Sequence, residues 1–333
     1  MTEPTLACIT ASAALEPLRP RWDRLYQESG ASPFQSPAWL LPWWHSFGNT
    51  RPLVACLYLG TRLAGLLPMY ILDEGIERKI LMIGVGISDH LDVLLVPDAP
   101  DDAASRLLQA ALAAAGPKLG RCDLTDIPPQ SALRRIKAVP GWHMDWHETD
   151  PCPVLGLPAT GADLRQIVPA RTLRRLRMNR HRADRFGGWR AEVADAGTLG
   201  GMLEALFTLH RLRWPQGGVF ADPRAMAFYR EATPALLAAG SLHLAGLWLG
   251  ERLSAVCMAL LHGPDRILFY QSGYDPAYAA TSPGSLLLGA LIENAVEAKR
   301  RQANFLRGGE AYKYRWGAVD EYNMACRLTW LGG

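Results

Sequence analysis

Two α/β domains of like topology, set one after the other, are what this sequence predicts, and three observations predict them. Strand-like and helix-like segments follow one another in the same order twice along 333 residues, a length that suits two domains or one large one. Leu57-Tyr58-Leu59-Gly60-Thr61-Arg62-Leu63 matches Leu247-Trp248-Leu249-Gly250-Glu251-Arg252-Leu253 at five of seven positions. Each copy places Gly first in a two-residue loop between apolar strands, the chemistry of a type II′ hairpin, and antiparallel strands, a helix and a further strand follow at similar offsets. Each domain is expected to be a mixed, mostly antiparallel sheet flanked by helices (α/β, in the α+β sense).

The elements are read in order. Leu18, Trp22 and Leu25 share one face of a helix from Leu15 to Tyr26. Ser36-Pro37 opens a second helix whose Trp39, Leu40, Trp43 and Trp44 form an aromatic stripe, read as core rather than as a ligand cage. Strands are expected over Leu53–Leu59, Arg62–Ile71, Lys79–Ile83 and Leu91–Val96, then a helix over Asp102–Ala115, a strand near Cys122–Thr125, a short helix around Leu133 and a strand at Trp142–Trp146. A linker is placed near Pro151 to Pro158. The second half repeats the order with helices over Leu203–Trp214 and Arg224–Leu237, strands over Leu242–Leu249, Arg252–Leu261 and Ile267–Tyr274, a helix over Gly284–Lys299 and a strand at Asn304–Leu306.

Composition excludes several classes. About half the chain is apolar and a fifth charged, so it is an ordinary globular protein and neither disordered nor fibrous. A net charge of +3 is no global nucleic-acid signature. The six cysteines show no CxxC and sit mostly in apolar runs, which predicts reduced thiols in a cytoplasm. The eight histidines form no HxxxH-type pair on a helix, so no metal is expected. No leader and no membrane span are expected either.

Charge is local. From Arg165 through Arg171, Arg174, Arg175, Arg177, Arg180, Arg182 and Arg185 to Arg190, only Asp184 offsets a run of arginines. On a helix, Leu173, Leu176, Ala183 and Phe186 fall near one stripe and leave most guanidinium groups outward. Such a run is either a solvated face or a contact for phosphates, in a nucleotide cofactor or in RNA. No aromatic interleaving points to base stacking.

The stretch from Ile267 to Trp316 gathers the chemistry. An apolar strand, Ile267-Leu268-Phe269-Tyr270, leads into Gln271-Ser272-Gly273-Tyr274-Asp275-Pro276, and Ser282-Pro283-Gly284 then opens a helix with Ser282 as its N-cap and Pro283 at its first position. A strand feeding a helix N-terminus through small residues is either an anion site, fit for a phosphate-bearing ligand, or an ordinary connection.

Several separated motifs, in order, resemble a family. Phe34-Gln35-Ser36-Pro37-Ala38-Trp39, Ser88-Asp89-His90-Leu91-Asp92, Tyr270-Gln271-Ser272-Gly273-Tyr274-Asp275, Ser282-Pro283-Gly284 and Phe305-Leu306-Arg307-Gly308 with Glu310, Tyr312-Lys313 and Arg315-Trp316 are similar to the double-domain branch of the GNAT acyltransferase superfamily. This is the cellulose-biosynthesis-type acetyltransferase branch, related to the Fem-type aminoacyl transferases. The match runs from about Trp22 to Trp330. It implies a degenerate N-terminal GNAT-like domain on the acceptor side, residues 1–157, and a C-terminal GNAT domain with an arginine-rich entry helix on the acyl-donor side, residues 158–333. Two departures stand out. The family's pyrophosphate loop, Gln/Arg-x-x-Gly-x-Gly/Ala, is interrupted after Gln271-Ser272-Gly273, as it is in Fem-type enzymes, which the resemblance says take aminoacyl-tRNA. Asn304 occupies the place where an acid is expected ahead of Phe-Leu-Arg-Gly.

Acyl transfer to an amine needs a held electrophile, oxyanion stabilisation and a proton for the leaving group. Positioning alone supplies about 7–11 kcal/mol of barrier reduction, so no covalent intermediate is required. This agrees with the lack of a Gly-x-Ser-x-Gly elbow. Glu310 is the candidate general base, or else an ion-pair partner of Lys313 or Arg307. Tyr312 or Tyr270 would protonate the leaving group, Tyr270 being otherwise a half-buried strand aromatic. Gln271, Ser272, Gly273, Ser282, Gly284, Ser285, Arg307 and Lys313 are candidates for binding the donor, the last two otherwise fixing their loop. Asp89, His90, Tyr274, Asp275, Arg213 and Trp214 are candidates for the acceptor, with structural roles open to each, Asp275-Pro276 as a turn above all.

The leading expectation is an N-acyltransferase using an acyl-coenzyme A or acyl carrier protein thioester as co-substrate and a small-molecule or peptide amine as acceptor, without a metal. The alternatives are an aminoacyl-tRNA-dependent, Fem-like amide-forming transferase and a non-catalytic binding module of GNAT shape.

Overall fold

The structure, a computed structural model, describes residues 3–332 apart from 49, 74, 76, 77, 117, 118, 159–163 and 216. It divides into two units, Met1–Asp150 with Tyr322–Gly333, and Pro151–Glu321. In the first, β1 (Thr5–Ile9) leads to α1 (Leu15–Ser29) and α2 (Pro37–Phe47), then β2 (Arg51–Leu59), β3 (Arg62–Asp73), β4 (Arg78–Met82), the two-residue β5 (Leu94–Leu95), α3 (Ala103–Ala115) and β6 (Arg121–Ile127). The chain passes into the second unit along β7 (Trp142–Gly156). There follow α4 (Leu164–Ile167), α5 (Ala170–Asp184), β8 (Trp189–Val193), α6 (Leu199–Arg213), α7 (Pro223–Ala238), β9 (Leu242–Leu249), β10 (Arg252–His262), β11 (Arg266–Tyr274), α8 (Pro283–Glu297), β12 (Gln302–Asn304) and α9 (Ala311–Tyr314). The chain returns along β13 (Val319–Trp330).

The repetition is a repetition of topology. In the first unit the strand order is β1-β2-β3-β4-β6-β13, antiparallel throughout except for parallel β4 and β6. In the second the order is β8-β9-β10-β11-β12-β7, antiparallel except for parallel β11 and β12. Both β hairpins close as the sequence predicts. Leu59 faces Arg62 and Leu249 faces Arg252, and only the first loop residue is left-handed, Gly60 at φ 63° and Gly250 at φ 54°, the pattern of a type II′ turn. A Cβ on Gly250 would also lie 2.7 Å from the Phe186 carbonyl oxygen.

The expected boundary at 157/158 differs from this division. The sequence places a linker at Pro151 to Pro158, whereas Pro151 to Gly156 are the last residues of β7, where Val154, Leu155 and Gly156 pair with β12. Pro151 and Pro153 precede the pairing with β12, which begins at Val154, so neither removes an N–H from that ladder, and the carbonyls of both accept hydrogen bonds, from Gly308 and Phe305. Residues 322–333 belong to the first unit, where β13 pairs with β6 from Met324 opposite Ile127 to Thr329 opposite Arg121.

The aromatic stripe of α2 is core, with Trp39, Trp43 and Trp44 at most 5% exposed and the Trp39 indole N–H donating to Ser88 Oγ at 2.9 Å. In the second unit, α5 and α8 share an apolar core with Leu247, Cys257 and Phe269 on one face of the sheet, while α6 packs on the other, its Met202 against Gly246. Among the described residues no helix is long and apolar enough to cross a membrane.

Candidate active site

The site of the second unit begins where two parallel strands part. β11 and β12 pair only over Arg266–Leu268 and Gln302–Asn304. Past Asn304 the chain is drawn to β7, because the Phe305 and Gly308 N–H groups donate to Pro153 and Pro151. Asn304, whose expected acidic counterpart is absent, accepts the Leu306 N–H through Oδ1 at 2.7 Å and so holds Leu306 at a left-handed φ of 56°. On the other side Met258 pairs with Gln271 and Ala259 with Phe269, which leaves Tyr270 as the extra residue of a bulge. Bulges re-aim side chains, and the Tyr270 hydroxyl meets the Tyr229 hydroxyl of α7 at 2.7 Å.

A cavity of about 250 Å³ occupies this opening. Tyr270, Gln271, Ser272, Gly273 and Tyr274 of β11 line it, with Ser282, Gly284 and Ser285 at the start of α8, Arg213 at the end of α6, and Tyr312 of α9. Ten of the residues singled out from the sequence thus meet around one space. Gly273 is required there, because a Cβ would lie 2.3 Å from His210 N and 2.5 Å from Leu209 C on α6. Ser282 stands at the N-cap position of α8 in a left-handed conformation (φ 51°, ψ 60°) without a side-chain cap. Its carbonyl accepts the Ser285 and Leu286 N–H groups. Pro283 supplies the first position as expected, and the positive end of the helix dipole is directed at the cavity wall these residues form.

Other residues sit elsewhere. Lys313 is 2% exposed and its Nζ donates to the carbonyls of Leu306 (3.1 Å), Arg307 (2.8 Å) and Gly308 (2.8 Å). Its ion-pair partner is Glu310, at 2.9 Å. Lys313 therefore fixes the loop, and of the two roles open to Glu310 the structure displays the ion pair; neither residue, nor Arg307, is on the cavity wall. Asp275 makes a turn, its Oδ1 accepting from Ala277 N at 2.9 Å. Trp214, 48% exposed, lies against Arg213 rather than in the wall. Asp89 and His90 belong to the first unit, where both are buried; their carbonyls accept from Asn323 Nδ2 at 2.8 Å and Gln35 Nε2 at 2.7 Å, and the His90 ring meets Phe34 edge-on.

The cavity is cationic. Arg175 of α5 and Arg315 after α9 join Arg213 in its lining, and among the described residues no Asp or Glu lines it. Arg315 and Arg175 were legible only as members of motifs, one beside Trp316 and one inside the arginine run. That run divides: Arg175 faces the cavity, Arg180 pairs with Glu293 at 2.6 Å, and Arg171, Arg174 and Arg177 are exposed. Burial, then the charge of Glu310, pushes the Tyr312 hydroxyl well above the usual tyrosine range, so it stays protonated. Burial pushes the Cys257 thiol up to about 12, which removes it as a nucleophile. Behind the wall, burial and then Arg213 pull His210 down to about 4, a neutral imidazole packed edge-on to Phe220.

Residues 170–314 match the acetyltransferase (GNAT) domain family. No curated protein matches the chain. Among solved structures it is similar to FemX, at 11% identity over 92% of this chain and 95% of that one with a TM-score of 0.66. A conserved protein of unknown function from Bacteroides thetaiotaomicron matches at 11% identity over 96% and 97%, with a TM-score of 0.59. The C-terminal domain of a protein assigned as a lysylphosphatidylglycerol synthetase from Agrobacterium fabrum matches at 12% over 97% and 93%, with a TM-score of 0.57. At these identities the likeness is one of fold. The segment that supplies every lining residue of the cavity except Arg315 thus matches the acetyltransferase (GNAT) domain family, and the first unit repeats its order of strands and helices.

Proposed function

We propose that the second unit transfers an acyl group from a thioester, acyl-coenzyme A or an acyl carrier protein, to an amine by direct attack. The observation that carries this reading is the cavity between the parted strands β11 and β12, walled by the N-terminus of α8 and by arginines. An anionic donor finds a positive end there. The amine nitrogen attacks the thioester carbon, the carbon–sulfur bond breaks, and the departing thiolate takes a proton. Tyr312, protonated at neutral pH, is the donor of that proton. Guanidinium groups around the cavity disfavour an ammonium ion, so the attacking amine enters neutral; after attack its second proton leaves to water, and a proton from water restores the Tyr312 hydroxyl, so no net proton is gained or lost. The experiment is a panel of acyl thioesters and amines with amide products read by mass spectrometry. Turnover with no thioester on any amine would overturn the reading.

A second reading, aminoacyl-tRNA as donor, is favoured by the exposed arginines of α5 and by the likeness in fold to FemX. Product formation that requires charged tRNA and is abolished by ribonuclease would select it.

A further inference from the structure

Several arginines of the second unit are neutralised by carboxylates, and Arg213 is not. Arg180, Arg190, Arg224 and Arg230 each hold a carboxylate, of Glu293, Glu192, Asp222 and Glu204. Arg213 has no acidic partner among the described residues; its hydrogen bond goes to the neutral Ser272 hydroxyl, at 3.3 Å. The guanidinium is nevertheless held in place, 5.2 Å from the ring centre of Trp214, 5.5 Å from that of Tyr274 and 6.0 Å from that of Tyr312. Aromatic faces attract the cation without neutralising it, and they fix a side chain whose ordering on binding would otherwise cost entropy. Four of the five N–H donors of a guanidinium are left once Ser272 has taken one, in the fork that matches a carboxylate or phosphate.

Its position separates it from the donor's end of the cavity. Arg175 and the N-terminus of α8 come from the helices on one face of the sheet, and Arg213 comes from α6 on the other. Two ligands that meet in one cavity thus find separate cationic poles.

We infer that the acceptor is an amine that also carries an acidic group, a carboxylate or a phosphate, and that Arg213 in its aromatic clamp binds that group and selects for it. The inference rests on the acyl-transfer reading for the identity of the ligand as acceptor, and the clamp itself can be tested without turnover.

Matched pairs that differ only in the anion are the probes: α-amino acids against their α-carboxamides, and aminoethyl phosphate against ethanolamine. With the full chain and acetyl-coenzyme A, kcat/KM for the acidic member of at least one pair is expected to exceed that of its neutral partner tenfold or more. The gap closes in Arg213→Gln and partly returns in Arg213→Lys, and which pair shows it separates carboxylate from phosphate. In parallel, the acidic members raise the melting temperature of the wild type and not of Arg213→Gln. If no amine is acylated but the acids still stabilise the wild type through Arg213, the clamp stands and acyl transfer from this thioester fails. If amines are acylated with no preference for the acidic member, or with one that survives Arg213→Gln, the inference is overturned and the acyl-transfer reading stands. If neither turnover nor stabilisation is seen, both are overturned.

Discussion

Lys313 Nζ lies 2.9 Å from Glu310 Oε2 while donating to three consecutive backbone carbonyls, and only the carboxylate of this pair reaches solvent, at 49% side-chain exposure against 3% for the lysine. The two partners are therefore unequal. Replacing Lys313 with Met leaves the Leu306, Arg307 and Gly308 carbonyls without their buried donor, a loss of about 2–4 kcal/mol. Glu310→Gln, at a half-exposed position, is expected to cost less than about 1 kcal/mol. Urea denaturation of the two variants checks the asymmetry. A loss of acyl transfer greater than tenfold in Glu310→Gln, with the fold intact, would restore the carboxylate as general base.

Tyr312→Phe removes the hydroxyl proposed to protonate the leaving thiolate and keeps the ring beside Arg213. A proton donor of this kind contributes about 10²-fold or more, and the loss is expected in kcat rather than in KM. Because its hydroxyl titrates above the usual tyrosine range, the wild-type rate should show no fall assignable to Tyr312 up to pH 10. A descending limb below that pH that disappears in Tyr312→Phe would contradict the assignment.

Gly273→Ala drives a methyl group into the backbone of α6 at His210 and Leu209. Backbone cannot swing aside as a long side chain does, so the expected penalty is about 2–3 kcal/mol. Chemical denaturation monitored by circular dichroism measures it. A change below 0.5 kcal/mol would mean that strand and helix are less tightly apposed than they are here.

Asp92 in the first unit accepts hydrogen bonds from Ser131 Oγ and Val93 N, yet burial raises its pKa from 3.8 to about 7. Between those values the folded protein holds a proton that the unfolded chain has lost, so ionisation of the unfolded state erodes stability as pH rises from about 4 to about 7, by about 1.4 kcal/mol per pH unit. The contribution is whole below pH 4 and gone above 7. Asp92→Asn should flatten this dependence and raise the melting temperature at pH 8 relative to pH 4, when each is compared with the wild type. His210, lowered to about 4, acts in the opposite sense and weakens the second unit on acidification from 6.5.

The hairpins, the repeated order and most helix bounds were legible because they depend on local chemistry: apolar alternation, Ser-Pro helix starts, and a glycine at the first loop position. Three strands were not read, β1, β8 and β13, and Leu91–Val96 shrinks to Leu94–Leu95. β8 was hidden inside the arginine run, which leaves its helix at Asp184 and resumes as a strand at Trp189 after two glycines at positive φ. β13 alternates polar and apolar residues as an amphipathic strand does, but its partner β6 is some two hundred residues distant, a pairing no local pattern announces. At the site, Tyr270, Ser272 and Gly284 could be grouped around the strand-to-helix turn and Tyr312 through the family resemblance, while none of their roles followed from spacing alone. The fate of Lys313 could not, since whether an ammonium faces a ligand or three carbonyls depends on the left-handed turn at Leu306, which Asn304 fixes.

The pairing of β13 with β6 also sets a schedule. During synthesis, β6 emerges from the ribosome long before residues 324–329 exist to flank it, and a sheet bordered by so late a neighbour must wait with one edge open. Nascent chains halted before residue 322 should be protease-sensitive in the earlier half and become resistant only once the final strand is released. Any attempt to express that half by itself will have to carry the closing strand along.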